Sequence, residues 1–362
     1  MQWRNPLIYF HDPQQSAKPP MALLSGLCAL LMSVSCSSVP QSSTSQAEAE
    51  LPQPDIELVS ETGWDTPAVI TFDTQSSGIW AIALSPDQTL LAAASNDNIV
   101  QLWDLATGKL IQTLTGHTDA VLSVVFSPDG EQIASSSKDK TIRQWHVDTG
   151  ELTRTINANT KAVRSVVFSP DGEKLINSSW DNTIKTWDAA TGDLISTLEG
   201  HSEGIFAVAV SPDGKTIASV SKDRTVKLWD LATGAILETL SGHTDNVRAV
   251  TFSPDGKLLA TGGTDNEIKL WDVESRALVR SLTGHTGPLN TVAFSPDGTA
   301  LLSGAEDKTI KLWNVADGTV VQTLEGSTGG INSVVLAQDN TLILSGSGAE
   351  DGAIRLWRPY RN

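Results

Sequence analysis

Four Gly-His pairs, at His117, His201, His243 and His285, are the residues of this 362-residue chain best suited to acid–base or metal chemistry. Each lies 22 residues before an aspartate (Asp139, Asp223, Asp265, Asp307) and 28 before a tryptophan. A histidine near a carboxylate can act as a general base, but a register repeated this strictly argues for a structural use. Gly200-His201-Ser202-Glu203-Gly204 has the Gly-x-Ser-x-Gly spacing of a hydrolase nucleophile elbow. That elbow needs a strand running into a helix. Here the five residues fill the turn that reads Gly116-His117-Thr118-Asp119-Ala120 in an earlier copy, so the match is one of chance. The aspartates of the Ser-Pro-Asp-Gly stretches offer one carboxylate per hairpin, short of the roughly 6–8 oxygens that calcium takes, and read as turn formers. The sequence has no Cys/His cluster, no glycine-rich phosphate loop and no carboxylate pair that breaks the repeat. Neither a catalytic residue, a metal nor a cofactor is expected.

The elements that position these residues follow from a repeat. Tryptophans stand at Trp103, Trp145, Trp187, Trp229, Trp271, Trp313 and Trp357, with gaps of 42 residues and a last gap of 44. Ser-Pro-Asp-Gly recurs at Ser127–Gly130, Ser169–Gly172, Ser211–Gly214, Ser253–Gly256 and Ser295–Gly298; copy one has Ser85-Pro86-Asp87-Gln88 and copy seven only Ala337-Gln338-Asp339-Asn340. Apolar β-branched runs such as Val121–Phe126 precede this turn, and Gln132–Ala134 follows it. Thr141–Trp145 comes after a second turn at Lys138–Lys140, and Leu110–Leu114 follows the turn Ala106-Thr107-Gly108. The pattern predicts four short strands joined by tight hairpins in every copy.

Gly-His near the start of a copy, Asp in its second hairpin and Trp-Asp at its end resemble the WD-repeat β-propellers. The resemblance runs from about Trp64 to Tyr360. It implies an all-β fold with seven blades in a closed ring, which leaves no large sheet edge open. Ala68–Phe72 aligns with a fourth strand but has no blade before it, so it is expected to pair with Ile331–Leu336, Thr341–Gly346 and Ala353–Trp357 and close the ring. The family also implies a buried hydrogen-bond chain from Asp through His and a Ser to the indole N–H. On this reading copies two (His117, Ser137, Asp139, Trp145) and four (His201, Ser221, Asp223, Trp229) are complete. Copies five and six lack the Ser, with Gly263 and Ala305, and copies one, three and seven replace the His by Gln75, Asn159 and Ser327.

Residues that differ between copies are free to read a partner. One position after the first apolar residue of the first strand carries Trp80, Leu122, Arg164, Phe206, Arg248, Asn290 and Asn332. The position before the hairpin Asp carries Asn96, Lys138, Trp180, Lys222, Thr264, Glu306 and Glu350. The resemblance places both on one rim. Trp80, Leu122, Lys138, Arg164, Trp180, Phe206, Lys222 and Arg248 are therefore the expected partner-binding residues, an aromatic and basic arc suited to an acidic or amphipathic peptide. The opposite face, with the Ser-Pro-Asp-Gly turns, is expected to be acidic.

With 25 Lys and Arg against 42 Asp and Glu the formal charge is −17, which disfavours nucleic acid as a partner. Cys28 and Cys36 are the only cysteines, so no disulfide framework holds the body. Met21–Val34 is an uncharged run of 14 residues, too short to span a bilayer and of the length of a signal-peptide core. Ser33-Val34-Ser35-Cys36 resembles the cleavage box of bacterial lipoproteins, with Ser33 where that family usually has Leu; lipidation of Cys36 would follow. The sequence thus divides into a signal-like segment (1–36), a linker (37–60) rich in Ser, Gln, Glu and Pro, and a propeller (61–362). The leading expectation is a monomeric, non-catalytic scaffold for a protein or peptide, lipid-anchored outside the cytoplasm. A cytoplasmic WD-repeat scaffold with an N-terminal extension and a propeller hydrolase or lyase with a central-channel site are the alternatives.

Overall fold

The computed structural model describes residues 69–72, 74–337 and 342–357. These belong to one compact unit, 59–362. The signal-like segment, Cys36, the linker and most of the copy-seven turn lie outside the described residues.

The first strand among the described residues is β1 (Val69–Phe72). Blade one follows as β2 (Ile79–Leu84), β3 (Leu90–Ser95), β4 (Ile99–Asp104) and β5 (Leu110–Thr115). Blade two is β6 (Val121–Phe126), β7 (Gln132–Ser137), β8 (Thr141–His146) and β9 (Leu152–Asn157). Blade three is β10 (Val163–Phe168), β11 (Lys174–Ser179), β12 (Thr183–Asp188) and β13 (Leu194–Glu199). Blade four is β14 (Ile205–Val210), β15 (Thr216–Ser221), β16 (Thr225–Asp230) and β17 (Ile236–Ser241). Blade five is β18 (Val247–Phe252), β19 (Leu258–Gly263), β20 (Glu267–Asp272) and β21 (Leu278–Thr283). Blade six is β22 (Leu289–Phe294), β23 (Ala300–Ala305), β24 (Ile310–Asn314) and β25 (Val320–Leu324). Blade seven combines β26 (Ile331–Leu336), β27 (Ile343–Ser347) and β28 (Ile354–Trp357) with β1. The described residues form an all-β, seven-bladed propeller without helices.

Local chemistry sets each hairpin. In blade four the Ser211 hydroxyl donates to Asp213 at 2.6 Å and accepts the Thr216 N–H, while Gly214 N–H closes the turn on Ser211 carbonyl. The fourth turn position is left-handed (φ +70° at Gly214), which glycine adopts without steric penalty. Blade one does the same with Gln88 at φ +59°.

Burial decreases outward through each blade. In β3, β7, β11, β15, β19 and β23 five consecutive residues are buried, because both sheet faces are covered. In β5 only Leu114 is. The core lies between blades: Val100, Leu102 and Leu114 of blade one pack with Val121, Val124, Ile133 and Trp145 of blade two. The same arrangement closes the ring, where Phe72, Ile354 and Leu356 pack with Ile79, Leu91 and Trp103. β1 pairs antiparallel with β28, from Val69 opposite Trp357 to Phe72 opposite Ile354, and Phe72 meets Trp103 edge-on at 5.7 Å. No blade can bury its faces alone, so closure is a condition of the core.

Candidate interaction site at the channel mouth

The histidines belong to buried hydrogen-bond chains between strands. In blade two, Trp145 Nε1 donates to Ser135 Oγ at 2.9 Å, and Ser135 Oγ lies 2.8 Å from His117 Nε2. His117 Nδ1 lies 2.8 Å from Asp139 Oδ2. The ionised Asp139 carboxylate can only accept, so Nδ1 carries the ring proton, and Nε2 accepts from the Ser135 hydroxyl, whose oxygen takes the indole N–H. Blade four repeats this with Trp229, Ser219, His201 and Asp223 at 2.8, 2.8 and 2.7 Å. The linking serines are thus Ser135 and Ser219, not the expected Ser137 and Ser221. Ser137 instead donates to the Asp119 carbonyl at 2.8 Å and accepts the Asp139 N–H, and Ser221 likewise donates to the Glu203 and Gly204 carbonyls. The reason is register: Ile133 stands opposite Trp145, so the indole reaches the diagonal residue Ser135 and not Ser137 at the strand end.

That shift of two residues changes the reading of the other copies. Blades five and six, expected to lack the hydroxyl because of Gly263 and Ala305, have it at Thr261 and Ser303, 2.9 and 2.7 Å from His243 and His285. Blade three builds the chain from amides: Trp187 donates to Asn177, which donates to Asn159, which donates to Asp181. In blade seven Trp357 donates to Ser345, and Asp351 is held by Arg355, Ser347 and Ser327. Blade one has Ala93 at this position, and the buried Trp103 Nε1 has no partner among the described residues.

Burial alone would raise the Asp139 and Asp223 carboxyls, but hydrogen bonds from His117 and Thr141, and from His201 and Thr225, outweigh it and hold both far below the usual range. Asp181 is held at about 2, where the bonds from Thr183 and Asn159 likewise overcome burial. Burial pushes His285 down despite Asp307. His117, His201, His243 and His285 are buried and line neither the cavity around Trp80 and Arg164 nor the one around Ser127 and Phe168, so these chains are framework. Among the described residues no group of His, Cys, Asp and Glu is placed to hold a metal. The Gly200–Gly204 segment joins two strands, β13 and β14.

The open site lies where the first strands meet around the axis. In all seven blades the first strand carries a β-bulge one residue after its start, at Trp80, Leu122, Arg164, Phe206, Arg248, Asn290 and Asn332. A bulge re-aims a side chain out of the ladder. Six of the seven line a cavity of about 410 Å³, shared with Gly78, Asn96, Glu306, Gly348 and Ala349. Cations and rings alternate across it. Lys138 Nζ lies 5.5 Å from the Trp80 ring, and the Arg164 guanidinium lies 5.0 Å from Trp80 and 5.9 Å from Phe206. Arg248 lies 6.0 Å from the other neighbour, Phe206, and its Nη1 donates to Asn290 at 2.7 Å and pairs with Glu306 at 3.3 Å.

The expected rim residues therefore fall into three groups. Trp80, Lys138, Arg164, Phe206 and Arg248 come together. Leu122 does not reach the open surface: Arg164 and Trp80 meet across its blade, and it is 5% exposed. Trp180 is 47% exposed but packs beside Gly204, and Lys222 pairs with Glu203 at 3.6 Å; neither lines the cavity. Asn290, Glu306 and Asn332, left out of the expected partner-binding residues, line the same cavity because a closed ring puts blades six and seven across from blade three.

Residues 160–354, more than half of the chain, match the profile of the Nucleolar protein 10-like, N-terminal domain, a β-propeller. Residues 67–104 and 108–146 match the WD domain, G-beta repeat. Among relatives, the chain is 42% identical over 82 residues to "Probable serine/threonine-protein kinase PkwA" of Thermomonospora curvata, covering 23% of this chain and 9% of the relative. It is 38% identical over 55 residues to the Lissencephaly-1 homolog of Monosiga brevicollis, 15% of this chain and 13% of the relative. It is 40% identical over 43 residues to eukaryotic translation initiation factor 3 subunit I of Phaeosphaeria nodorum, 12% and 13% respectively. The matched stretches span only 9% to 13% of these relatives' lengths, about one or two blades. With seven blades in a closed ring and a Trp in register in each, this chain belongs to the WD-repeat family of β-propellers.

Proposed function

We propose that the chain is a non-catalytic scaffold that docks a protein or peptide at the channel mouth, and that a lipidated Cys36 tethers it to a membrane outside the cytoplasm. The family is one of interaction scaffolds, and relatives that share its blades include a translation initiation factor subunit. The observation that carries the docking reading is the ladder Lys138, Trp80, Arg164, Phe206, Arg248 around an open cavity. Aromatic and arginine side chains are what interface centres favour, and a central one is worth ~2 kcal/mol or more on truncation. The sixty residues before the propeller, with the apolar run and Cys36, support the tether.

Trp80→Ala with Arg164→Ala should weaken a partner captured by the wild-type chain at least tenfold, measured with the purified partner, with the fold intact. Unchanged binding would move the site to another face. Cys36→Ala should release the chain from membranes on fractionation; wild-type chain found wholly in the cytosolic fraction with 1–35 attached would overturn the tether.

A further inference from the structure

The two arginines of the mouth differ in how they are satisfied. Arg248 has Asn290 and Glu306. Arg164 makes no hydrogen bond or ion pair among the described residues; it is held by the faces of Trp80 and Phe206. Ring faces attract the flat side of a guanidinium but leave its in-plane N–H donors unused. Burial and the neighbouring Arg248 push its acid constant down to about 10, the mark of a cation short of compensation. Both arginines line the cavity. A half-buried cation whose donors face an open cavity, beside a second cation, is suited to an anion.

The wall itself indicates which anion. Glu306 already places a carboxylate oxygen 3.3 Å from Arg248 Nη1 and accepts from Asn290 Nδ2 at 3.1 Å. Its side chain is half exposed, so it can swing to solvent. A doubly charged group entering beside Glu306, in a chain of charge −17, meets twice the repulsion that a single carboxylate does.

We propose that the mouth is a carboxylate site: a Glu or Asp side chain of an acidic peptide takes the free edge of Arg164, and Arg248 exchanges Glu306 for the incoming carboxylate. The inference rests on the docking reading above and names its chemistry. Glu306 is then a built-in competitor that sets a threshold for ligands.

The probe is N-acetyl-glutamate α-amide, with N-acetyl-glutamine α-amide as its neutral isostere and inorganic phosphate as a third arm. Each is titrated at low salt into the full chain labelled with 15N-tryptophan. The Trp80 indole resonance is assigned by its loss in Trp80→Phe. The glutamate mimic should shift that resonance saturably, at least tenfold more tightly than the glutamine isostere. Arg164→Gln should abolish the shift, and Glu306→Gln should tighten it at least threefold. Glu306 lies on the exposed wall, so its variant keeps the test decisive if Arg164→Gln does not fold. Equal responses to the two amides, a shift that survives Arg164→Gln, weaker binding in Glu306→Gln, or phosphate binding more tightly than the mimic would each overturn the assignment. If the mimic fails while capture still depends on Trp80 and Arg164, docking stands and the carboxylate falls. If the mimic binds while capture ignores these residues, the carboxylate site stands and the docked peptide falls.

Discussion

Two columns of side chains run around the same seven blades, one buried between strands and one at the bulges. In the buried column Ser135, Ser219, Thr261, Ser303 and Ser345 each accept an indole N–H, and Asn177 does so with an amide. The chemistry varies little because every donor must find an acceptor away from water. The bulge column uses the same backbone register but turns its side chains into a cavity, and there tryptophan, arginine, phenylalanine and asparagine alternate. Where neighbours close a site the sequence repeats; where a bulge opens it the sequence is free, and it leaves Arg164 without a hydrogen bond among the described residues.

Opening the ring is the harshest way to test this comparison, because both columns need it. Deleting residues 1–74 removes β1, its ladder with β28 and the Phe72–Trp103 contact, and should lower stability by roughly 3 kcal/mol or more. Deleting only 1–60 should change little. Equal denaturant midpoints for the two truncations would contradict closure through β1.

Acid should act on the buried column and spare the mouth. Asp139, Asp181, Asp223 and Asp351 are depressed in the folded state, so the unfolded chain binds protons first as pH falls. Their contribution is complete above the unfolded carboxyl value of about 4 and is lost progressively below it. His285 is also depressed, so its smaller loss begins below about 6.5. Urea midpoints should be flat above that value, fall slightly to about pH 4 and steeply below. A midpoint constant from pH 4 to 2.5 would refute the depressed carboxyls.

Single substitutions sharpen the comparison further. Ser135→Ala removes the link between Trp145 and His117 and should cost ~1–3 kcal/mol. Gln112→Ala, in the outer strand, should cost less. Ala93→Ser should work in the opposite direction, giving the orphan Trp103 Nε1 an acceptor and a gain of ~0.5–1.5 kcal/mol. No gain there would mean that blade one has adapted around its gap.

Much of this was legible in the chain. Seven tryptophans in register dictate the blades, and a fourth-strand pattern at Ala68–Phe72 without a preceding blade dictates closure. The linking hydroxyl was not, because Ser135 and Ser137 alternate onto the same side of one strand and only the pairing of Ile133 with Trp145 separates them. The mouth was half legible. Variation between copies marked the bulge column, but the sequence treats blades in linear order, so Leu122 joined the site and Asn290, Glu306 and Asn332 were set apart. The Arg164–Trp80 contact across blade two and the closed ring reverse both assignments.

The central claim is that one column holds the fold and the other holds the partner, and a crossed measurement on Ser135→Ala and Arg164→Ala tests it most directly. Urea midpoints and partner affinity are measured on both full-length variants. The account predicts that Ser135→Ala loses ~1–3 kcal/mol of stability and keeps its partner, whereas Arg164→Ala keeps its midpoint and loses at least tenfold in affinity. Arg164→Ala unfolding as readily as Ser135→Ala while still binding the partner at wild-type strength would contradict it.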